Sequence, residues 1–333
     1  MHPSKRSATR LLRWGCIGTG DISHRVISDL RSTGAETIAV WGRSSDRAVE
    51  FARKHRIAVS SGDLSSILAR DDIDIVYVAT PAHTHTAIAL EAIDAGKHVL
   101  IEKPISTSAS DAEKLFSRAR AAGRFLMEAM WMRFNPLHVE VLDRVQRGEL
   151  GEISSVRAGF GTPFHARPGK ARPEDAGSVL RDRGIYPVTL AHWFLGTPHI
   201  VRAQGVISEG VDLSGHATLE QNEGGFAQIA WSGTEFLDLS AAVSGARGWV
   251  TLESMFWAGS DAYFHAGSAE RIFQSPEHLH HPRSGNGYGP MLRAVADAVA
   301  SGQLEHPWHN AETTISVTRT LDRILTDISS SSR

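Results

Sequence analysis

Lys103 and Tyr186 are the side chains of this sequence whose types and placement best fit acid–base chemistry. Lys103 follows an apolar run at residues 99–101 and precedes Pro104. This placement is expected at the C-terminal end of a buried strand, where open α/β sheets bind their ligands. A free tyrosine has a pKa of about 10, and a nearby ammonium stabilises the phenolate and lowers that pKa. We therefore predict that Lys103 and Tyr186 form a catalytic acid–base pair, the alternative being that Lys103 is a surface lysine at the start of a loop.

Asp182 lies four residues before Tyr186, in a segment with a helical pattern at residues 176–194. This spacing places both side chains on one helix face if the helix is continuous. Gly184 and Pro187 interrupt the pattern, so the continuity of the helix stays open. We expect Asp182 to orient one member of the pair or a substrate hydroxyl.

A glycine-rich turn follows the first predicted strand, at residues 13–17, and opens a helical pattern. Its sequence is G-T-G-D-I-S, in which glycines permit a tight turn and the close approach of a pyrophosphate to a helix N-terminus. A serine replaces the third glycine of the common motif, so a plain strand–helix turn is the alternative. We expect cofactor contacts from Gly18, Gly20, Asp21 and Ile22.

The second predicted strand, at residues 37–41, ends before Arg43 and Ser44. A site selective for NAD places a carboxylate here to hold the ribose 2′-hydroxyl, but the first carboxylate is Asp46, which is expected to start the next helix. Arg43 offers a planar fork for a 2′-phosphate, with Ser44 and Arg47 close by. The sequence therefore favours NADP over NAD, unless Arg43 faces only solvent.

Other candidate residues come from predicted strand ends and from the connections that follow them. Further cofactor contacts are expected from Thr80, Pro81, His85, Glu102 and Lys103. Substrate contacts are expected from Trp131, Arg133, Phe164, His165 and Arg167. Arg133 could equally brace the junction between domains. The substrate pocket is expected from the loop after residue 160 and from a loop at residues 257–265.

The pattern of predicted strands and helices changes along the chain. Strands alternate with helices up to residue 134, which indicates an α/β domain with a doubly wound parallel sheet of the Rossmann type. Residues 135–333 indicate an α+β domain with an open, mainly antiparallel sheet. Its strands are predicted at residues 153–161, 200–207, 216–221, 226–232, 236–244 and 249–253. We predict that residues 1–134 bind NAD(P) and that residues 135–333 bind substrate and form oligomer contacts.

Composition excludes several other classes of protein. The 333 residues carry a net charge of −2, so nothing in the charge favours nucleic acid or an anionic membrane as a partner. Cys16 is the single cysteine, which excludes an intrachain disulfide and fits a reducing compartment. The first ten residues lack the apolar core of a signal peptide, and we expect a cytoplasmic location.

Histidines are numerous, but their spacing does not predict a metal site. His83 and His85 flank a strand–helix junction, and one of them is expected to pack against or cap the helix. The densest cluster, His278, His280 and His281, falls between prolines in a segment that reads as a loop. We expect these three histidines to be solvated, and we predict no metal.

Three runs, G-C-I-G-T-G-D-I, A-G-K-H-V-L-I-E-K-P and D-R-G-I-Y, together resemble the Gfo/Idh/MocA oxidoreductases over nearly the whole chain. Within that family, residues 125–136 and 180–186 are most similar to the dihydrodiol and D-xylose dehydrogenases. The resemblance implies a Rossmann domain and a C-terminal sheet used in a homodimer or homotetramer. It also implies Lys103 in the E-K-P motif and Tyr186 where many members place a catalytic histidine. Ala82 departs from the asparagine that commonly follows Thr-Pro in this family.

Two functional hypotheses follow. The first is an NADP-dependent dehydrogenase that acts on a pyranose sugar or a vicinal diol, for example by oxidising C1 of an aldose to the lactone. The second is a regulatory protein that senses NAD(P) on the same fold without turnover. Retention of Lys103, Asp182 and Tyr186 together favours the enzyme, because a sensor needs none of them.

Overall fold

The computed structural model describes residues 11–163, 177–222 and 224–331. The chain forms two compact units. The first contains the chain up to Glu102 together with Lys114–Ala129 and Gly285–Asn310, and the second contains Lys103–Glu113, Met130–Ser284 and the chain from Ala311 onward. The predicted domain boundary after residue 134 stays a prediction. In the described ranges, no helix has the length and apolar character needed to cross a membrane.

The first unit is built on a parallel sheet of six described strands. In chain order the strands are β1 Arg13–Ile17, β2 Glu36–Trp41, β3 Val59–Ser61, β4 Ile75–Val78, β5 His98–Ile101 and β6 Leu126–Glu128. Their spatial order, β3-β2-β1-β4-β5-β6, is that of a doubly wound dinucleotide-binding sheet. The strands β4 and β5 are wholly or almost wholly buried, as the apolar runs predict for a sheet covered on both faces.

Helices connect the strands of this sheet. They are α1 Asp21–Ser32, α2 Ser45–His55, α3 Leu64–Leu68, α4 His85–Asp94 and α5 Ala109–Ala121, the last of which continues from the second unit into the first. The Oγ atom of Ser108 accepts a hydrogen bond from Asp111 N and caps α5. The sequence pattern predicts Ser110 as this cap, which is wrong by two residues because the helix begins at Ala109.

A segment from the C-terminal part of the chain completes the first unit. The N–H of Leu126 in the edge strand β6 donates to the carbonyl of Leu304, so this segment covers part of that edge. Asp29 of α1 is buried, and its carboxylate accepts from the backbone N–H groups of Asn286 and Tyr288, just before helix α9 (Gly289–Ala300).

The second unit is built on a mixed sheet of eight described strands. They are β7 Ile153–Gly161, β8 Ile200–Ser208, β9 Val211–Glu220, β10 Phe226–Ser232, β11 Ala241–Gly245, β12 Gly248–Leu252, β13 Asp261–Ala266 and β14 Glu277–His280. Their spatial order is β14-β13-β12-β11-β7-β10-β9-β8, and neighbours are antiparallel except for the parallel pair of β7 and β10. The predicted fold class, a Rossmann domain followed by a mainly antiparallel sheet, is therefore confirmed.

The second unit also contains helices. They are α6 Pro136–Gln146, α7 Ile185–Leu195, α8 Ala269–Phe273 and α10 Ala311–Ser331. The π-helical turn Leu180–Gly184 runs directly into α7. Helix α7 packs on β7 and α10, and its apolar side chains join the core beneath the sheet.

Two predicted features of the second sheet are wrong. The strand predicted at residues 236–244 is confined to β11. The carboxylate of Asp238 accepts from Ser240 N, and the local turn that this bond closes lies directly before β11. The loops predicted at residues 257–265 and around His278 contain β13 and β14. Leu279 is buried between two exposed histidines, and this period-two pattern is that of an edge strand.

Candidate active site

Lys103 lies two residues beyond the end of β5. The strand and Glu102 are buried, and the Lys103–Pro104 peptide bond is cis. Ile105 and Ser106, which follow, are fully buried and fix the path of the chain after the lysine. The lysine side chain is itself only 12% exposed, so it is not the surface lysine of the alternative interpretation.

The turn that carries Asp182 lies directly before Pro187. Proline has no N–H, so it cannot donate a π-helical bond to the Asp182 carbonyl, five residues earlier. The Asp182 carbonyl accepts from Lys103 Nζ at 2.6 Å, and its carboxylate Oδ1 accepts from the same nitrogen at 2.8 Å. The helix is continuous, but its first turn, Leu180–Gly184, is a widened π turn.

Tyr186 is held within reach of this ion pair. Lys103 Nζ lies 5.1 Å from the centroid of the Tyr186 ring. The indole Nε1–H of Trp131 donates to Tyr186 Oη at 3.1 Å, and both side chains are buried. Because indole is a donor only, the tyrosine oxygen must be the acceptor in this bond. An ammonium and an N–H donor thus lie beside the ring and its oxygen, and both interact more strongly with a phenolate than with a neutral phenol.

An aromatic pair lies beside the tyrosine. Phe160 of β7 and Trp257, in a short 3₁₀ turn, stack with centroids 3.7 Å apart and planes 11° apart. Their centroids are 5.8 and 6.0 Å from the Tyr186 ring. In the sequence, these two residues only mark where the predicted pocket loops begin. An aromatic residue at the end of a strand is the signal that could have identified Phe160.

Two arginines of this unit have structural partners. Arg183 donates to the carbonyl of Thr162 and, at 2.6 Å, to that of Ser232, which ties the π turn to the ends of β7 and β10. Arg133 lies over the Trp193 ring at 5.6 Å, and burial lowers its pKa to about 10, so it stays charged at neutral pH. The predicted substrate contact of Arg133 stays a prediction.

The glycine-rich turn is tight and lies close to the backbone that follows β4. Gly18 has a φ of +121°, and a Cβ there would lie 2.4 Å from the carbonyl oxygen of Ala79. Gly18 N donates to Trp41 O, which joins the ends of β1 and β2. A Cβ added to Gly20 would meet nothing within 4 Å, so backbone N–H groups at the start of α1 are open to a ligand. Asp21 is exposed and Ile22 half-buried at that helix end.

The other predicted cofactor residues lie at the ends of β2, β4 and β5. Arg43, Ser44 and Arg47 are exposed, and Ser44 Oγ caps α2 by accepting from Arg47 N. His85 is buried and its Nε2 bonds the carbonyl of Thr80, so this histidine packs the β4–α4 junction beside Pro81.

Glu102 is buried, and its Oε1 accepts from the hydroxyl of Tyr77 at 2.6 Å. Burial, and then the Glu102 carboxylate, raise the pKa of Tyr77 well above its usual value. The predicted substrate residues Phe164, His165 and Arg167 lie outside the described residues.

Comparison with known proteins identifies the class of the fold. Residues 12–130 match the model of an oxidoreductase family with an NAD-binding Rossmann fold. Residues 138–251 match the model of the GFO/IDH/MocA C-terminal domain. The chain therefore belongs to the Gfo/Idh/MocA family of oxidoreductases, and the resemblance read from its motifs is confirmed.

Individual relatives carry related activities in their names. A trans-1,2-dihydrobenzene-1,2-diol dehydrogenase of Xenopus laevis is 30% identical over 305 residues, which cover 89% of this chain and 91% of the relative. The enzyme of that name from Mus musculus is 32% identical over 256 residues, 75% of this chain and 77% of the relative. These relatives are named as dehydrogenases, so they favour the enzyme over the non-catalytic sensor.

A solved structure is similar over almost the full length. It is a 3-ketoreductase from Actinomadura kijaniata in complex with NADP and TDP-benzene, 29% identical, with a TM-score of 0.84 over 96% of this chain and 98% of that one. An aldose-aldose oxidoreductase from Caulobacter crescentus has the same fold, with a TM-score of 0.84, 22% identity and coverage of 97% and 98%.

Proposed function

We propose that this chain is an NADP-dependent dehydrogenase that moves a hydride between nicotinamide C4 and a carbinol carbon of a pyranose sugar or a vicinal diol. The observation that carries the proposal is the convergence of Lys103, Trp131 and Tyr186 beside a stacked aromatic pair. The names of the dihydrodiol dehydrogenase relatives and of the sugar ketoreductase support this substrate class.

Tyr186 supplies the acid–base group. In the oxidative direction its phenolate removes the proton of the substrate hydroxyl, and a nicotinamide held beside it would supply the hydride acceptor for the same carbon. Lys103 stabilises the phenolate by its charge, and Trp131 holds the oxygen by its N–H. Asp182 fixes the ammonium through two acceptors and thereby keeps it from turning away from the ring.

The aromatic pair suits a ring-shaped substrate. The faces of Phe160 and Trp257 offer apolar surface to the C–H face of a pyranose or of a cyclic diol. The hydroxyl groups of such a substrate remain directed to polar groups such as Tyr186 Oη. This division of apolar and polar contacts supports a sugar or diol over an open-chain apolar alcohol.

The choice of NADP rests on the chemistry of the β2–α2 connection. Arg43 is exposed directly after β2, and Ser44 has its hydroxyl at the start of α2. A 2′-phosphate would find a guanidinium fork and a hydroxyl donor there, whereas the first carboxylate, Asp46, already lies in the first turn of the helix. The NADP in the ketoreductase structure supports the same cofactor.

The decisive experiment compares Tyr186→Phe with the wild-type enzyme. Activity is measured as reduced-nicotinamide absorbance over a panel of aldoses, anhydrosugars and dihydrodiols, with both NADP and NAD. We expect the variant to lose turnover and to bind NADPH as before, measured by nucleotide fluorescence. Tyr263→Phe, on β13 next to the edge strand of the second sheet, is the matched control and should keep full activity. Full activity in Tyr186→Phe would remove this residue from the mechanism.

We further propose that the second sheet forms a homodimer or homotetramer. One face of that sheet carries a shallow groove of about 670 Å³ across β7, β9, β10, β11 and β12, lined in part by His216, Gln228 and Ala230. A second copy of the chain would cover this face. Ala230→Glu should reduce the sedimentation coefficient to that of a monomer, and an unchanged coefficient would place the contact elsewhere.

A further inference from the structure

Two histidines and one aspartate converge at the edge of the second sheet. Asp261 of β13 is the direct cross-strand partner of His280 in the edge strand β14. His278, two residues earlier in β14, projects to the same face because strand side chains alternate. These three residues, the Asp–His–His cluster, lie outside the candidate active site.

The geometry of the cluster is tight. His278 Nε2 and His280 Nδ1 lie 2.8 and 2.7 Å from the same carboxylate oxygen, Asp261 Oδ1. One ligand-type atom from each residue lies within 4.8 Å of the others. The three side chains are between 36% and 54% exposed, so an ion in solution can reach them.

Neighbouring residues orient the cluster. The Tyr263 ring stacks on the His278 ring, with centroids 4.9 Å apart and planes 18° apart. The next histidine along the chain, His281, is directed elsewhere and pairs with Glu140 of α6. His278 and His280 therefore converge on Asp261, whereas His281 has a partner of its own.

We propose that the Asp–His–His cluster binds a divalent transition ion of the Zn²⁺ class. Two imidazole nitrogens and one carboxylate oxygen are a ligand set that Zn²⁺ uses, at about 2.0–2.2 Å, with water in the fourth position. Tetrahedral ligands at those distances lie roughly 3.3 Å apart. Each histidine nitrogen must therefore move about half an ångström from Asp261 Oδ1, and the two nitrogens, now within 4.8 Å of each other, must come to the same separation. Mg²⁺ and Ca²⁺ prefer sets made of oxygen atoms and fit this cluster poorly.

The alternative is a pair of exposed ion pairs, in which both imidazoles donate to one oxygen. Exposed pairs of this kind contribute little to stability. A bound ion would use the same three side chains to join the short edge strand to its neighbour, which protects an otherwise open edge. Metal binding should therefore raise the melting temperature of the protein, and exposed ion pairs alone would not respond to Zn²⁺.

The test is calorimetric titration of the tag-free, full-length protein with Zn²⁺ in a buffer without chelators. We expect one ion per chain at this cluster, loss of that binding in the double variant His278→Gln/His280→Gln, and no change in His199→Gln. His199 is an exposed histidine directly before β8 that belongs neither to the cluster nor to the groove, so it controls for the loss of any surface histidine. Equal titration curves for the wild type and the double variant would overturn the proposal.

Asp261→Asn provides a second variant of nearly the same shape. Circular dichroism checks that it folds, and thermal denaturation with and without Zn²⁺ measures the shift in melting temperature. We expect the upward shift of the wild type to be reduced or lost in Asp261→Asn and kept in His199→Gln. A shift of the same size in Asp261→Asn would overturn the three-ligand site.

Discussion

Replacing Trp131 by phenylalanine tests the proposed role of the phenolate. The change removes one N–H donor, which lies 3.1 Å from Tyr186 Oη between two buried side chains, and it keeps an aromatic ring. A hydrogen bond to a charged acceptor contributes about 1.5–3 kcal/mol, whereas one between neutral groups contributes about 0.5–1.5 kcal/mol. Tyr186 is charged when it acts as a base, so this hydrogen bond should be stronger in the transition state than in the resting enzyme.

Because the variant also loses the neutral bond of the resting phenol, the kinetic effect is the difference of about 1–1.5 kcal/mol, which converts into a fall in kcat/KM of roughly 5- to 13-fold. The assay is steady-state oxidation of the best substrate from the panel, measured as a function of pH. The alkaline shift of the pH profile should accompany the fall, because the phenolate loses a donor. Stability is compared in a double-mutant cycle with Tyr186→Phe, in which the N–H has no hydroxyl oxygen to bind. A fall of less than about threefold with an unchanged pH profile would refute the reasoning, because even the smaller difference, about 1 kcal/mol, corresponds to more than that factor.

Three further perturbations test other parts of the molecule. Burial lowers the pKa of His138 and of His192 to about 4, so the stability that each contributes is present above the free pKa of about 6.5 and is lost as the pH falls toward 4. Denaturant titrations should show a loss of about 2 kcal/mol per histidine between pH 7.5 and pH 5, and equal stabilities at both pH values would contradict this. Gly18→Ala should lower both the melting temperature and nucleotide binding, because its Cβ would clash with a backbone carbonyl, whereas Gly34→Ala, at a positive φ in open space, should lose only a little stability. Arg43→Ala should raise KM for NADP and leave KM for NAD nearly unchanged, and equal changes for both cofactors would exclude contact with a 2′-phosphate.

The first sheet was predictable because its signals are local. Apolar runs bounded by turn residues locate β1, β4 and β5, and the alternation with helices determines a parallel order. Strand limits differ from the predicted ones by a residue or two, as expected where ends fray. The second sheet was less predictable. Residues 236–240 were predicted as part of a strand, and the Asp238 turn, in which Ser240 donates to the Asp238 carboxylate from its N–H and its hydroxyl, ends that pattern.

The candidate active site was also predictable only in part. Residue type and position identify Lys103, Asp182 and Tyr186, and the structure brings these three together. Their exact arrangement depends on the π turn before Pro187, which the sequence pattern does not determine. Phe160 and Trp257 are 97 residues apart in the chain, so no local pattern links them.

The route of the chain through the first unit limits when that unit can form. Asp29 and Glu128 are buried carboxylates whose donors include Asn286 and His309, in a segment near the end of the polypeptide. During synthesis, more than half of the protein must follow each carboxylate out of the ribosome before its hydrogen-bond donor is available. A gene fragment that stops after the sixth strand would therefore leave two carboxylates without these donors, and we expect its product to be captured by chaperones or degraded.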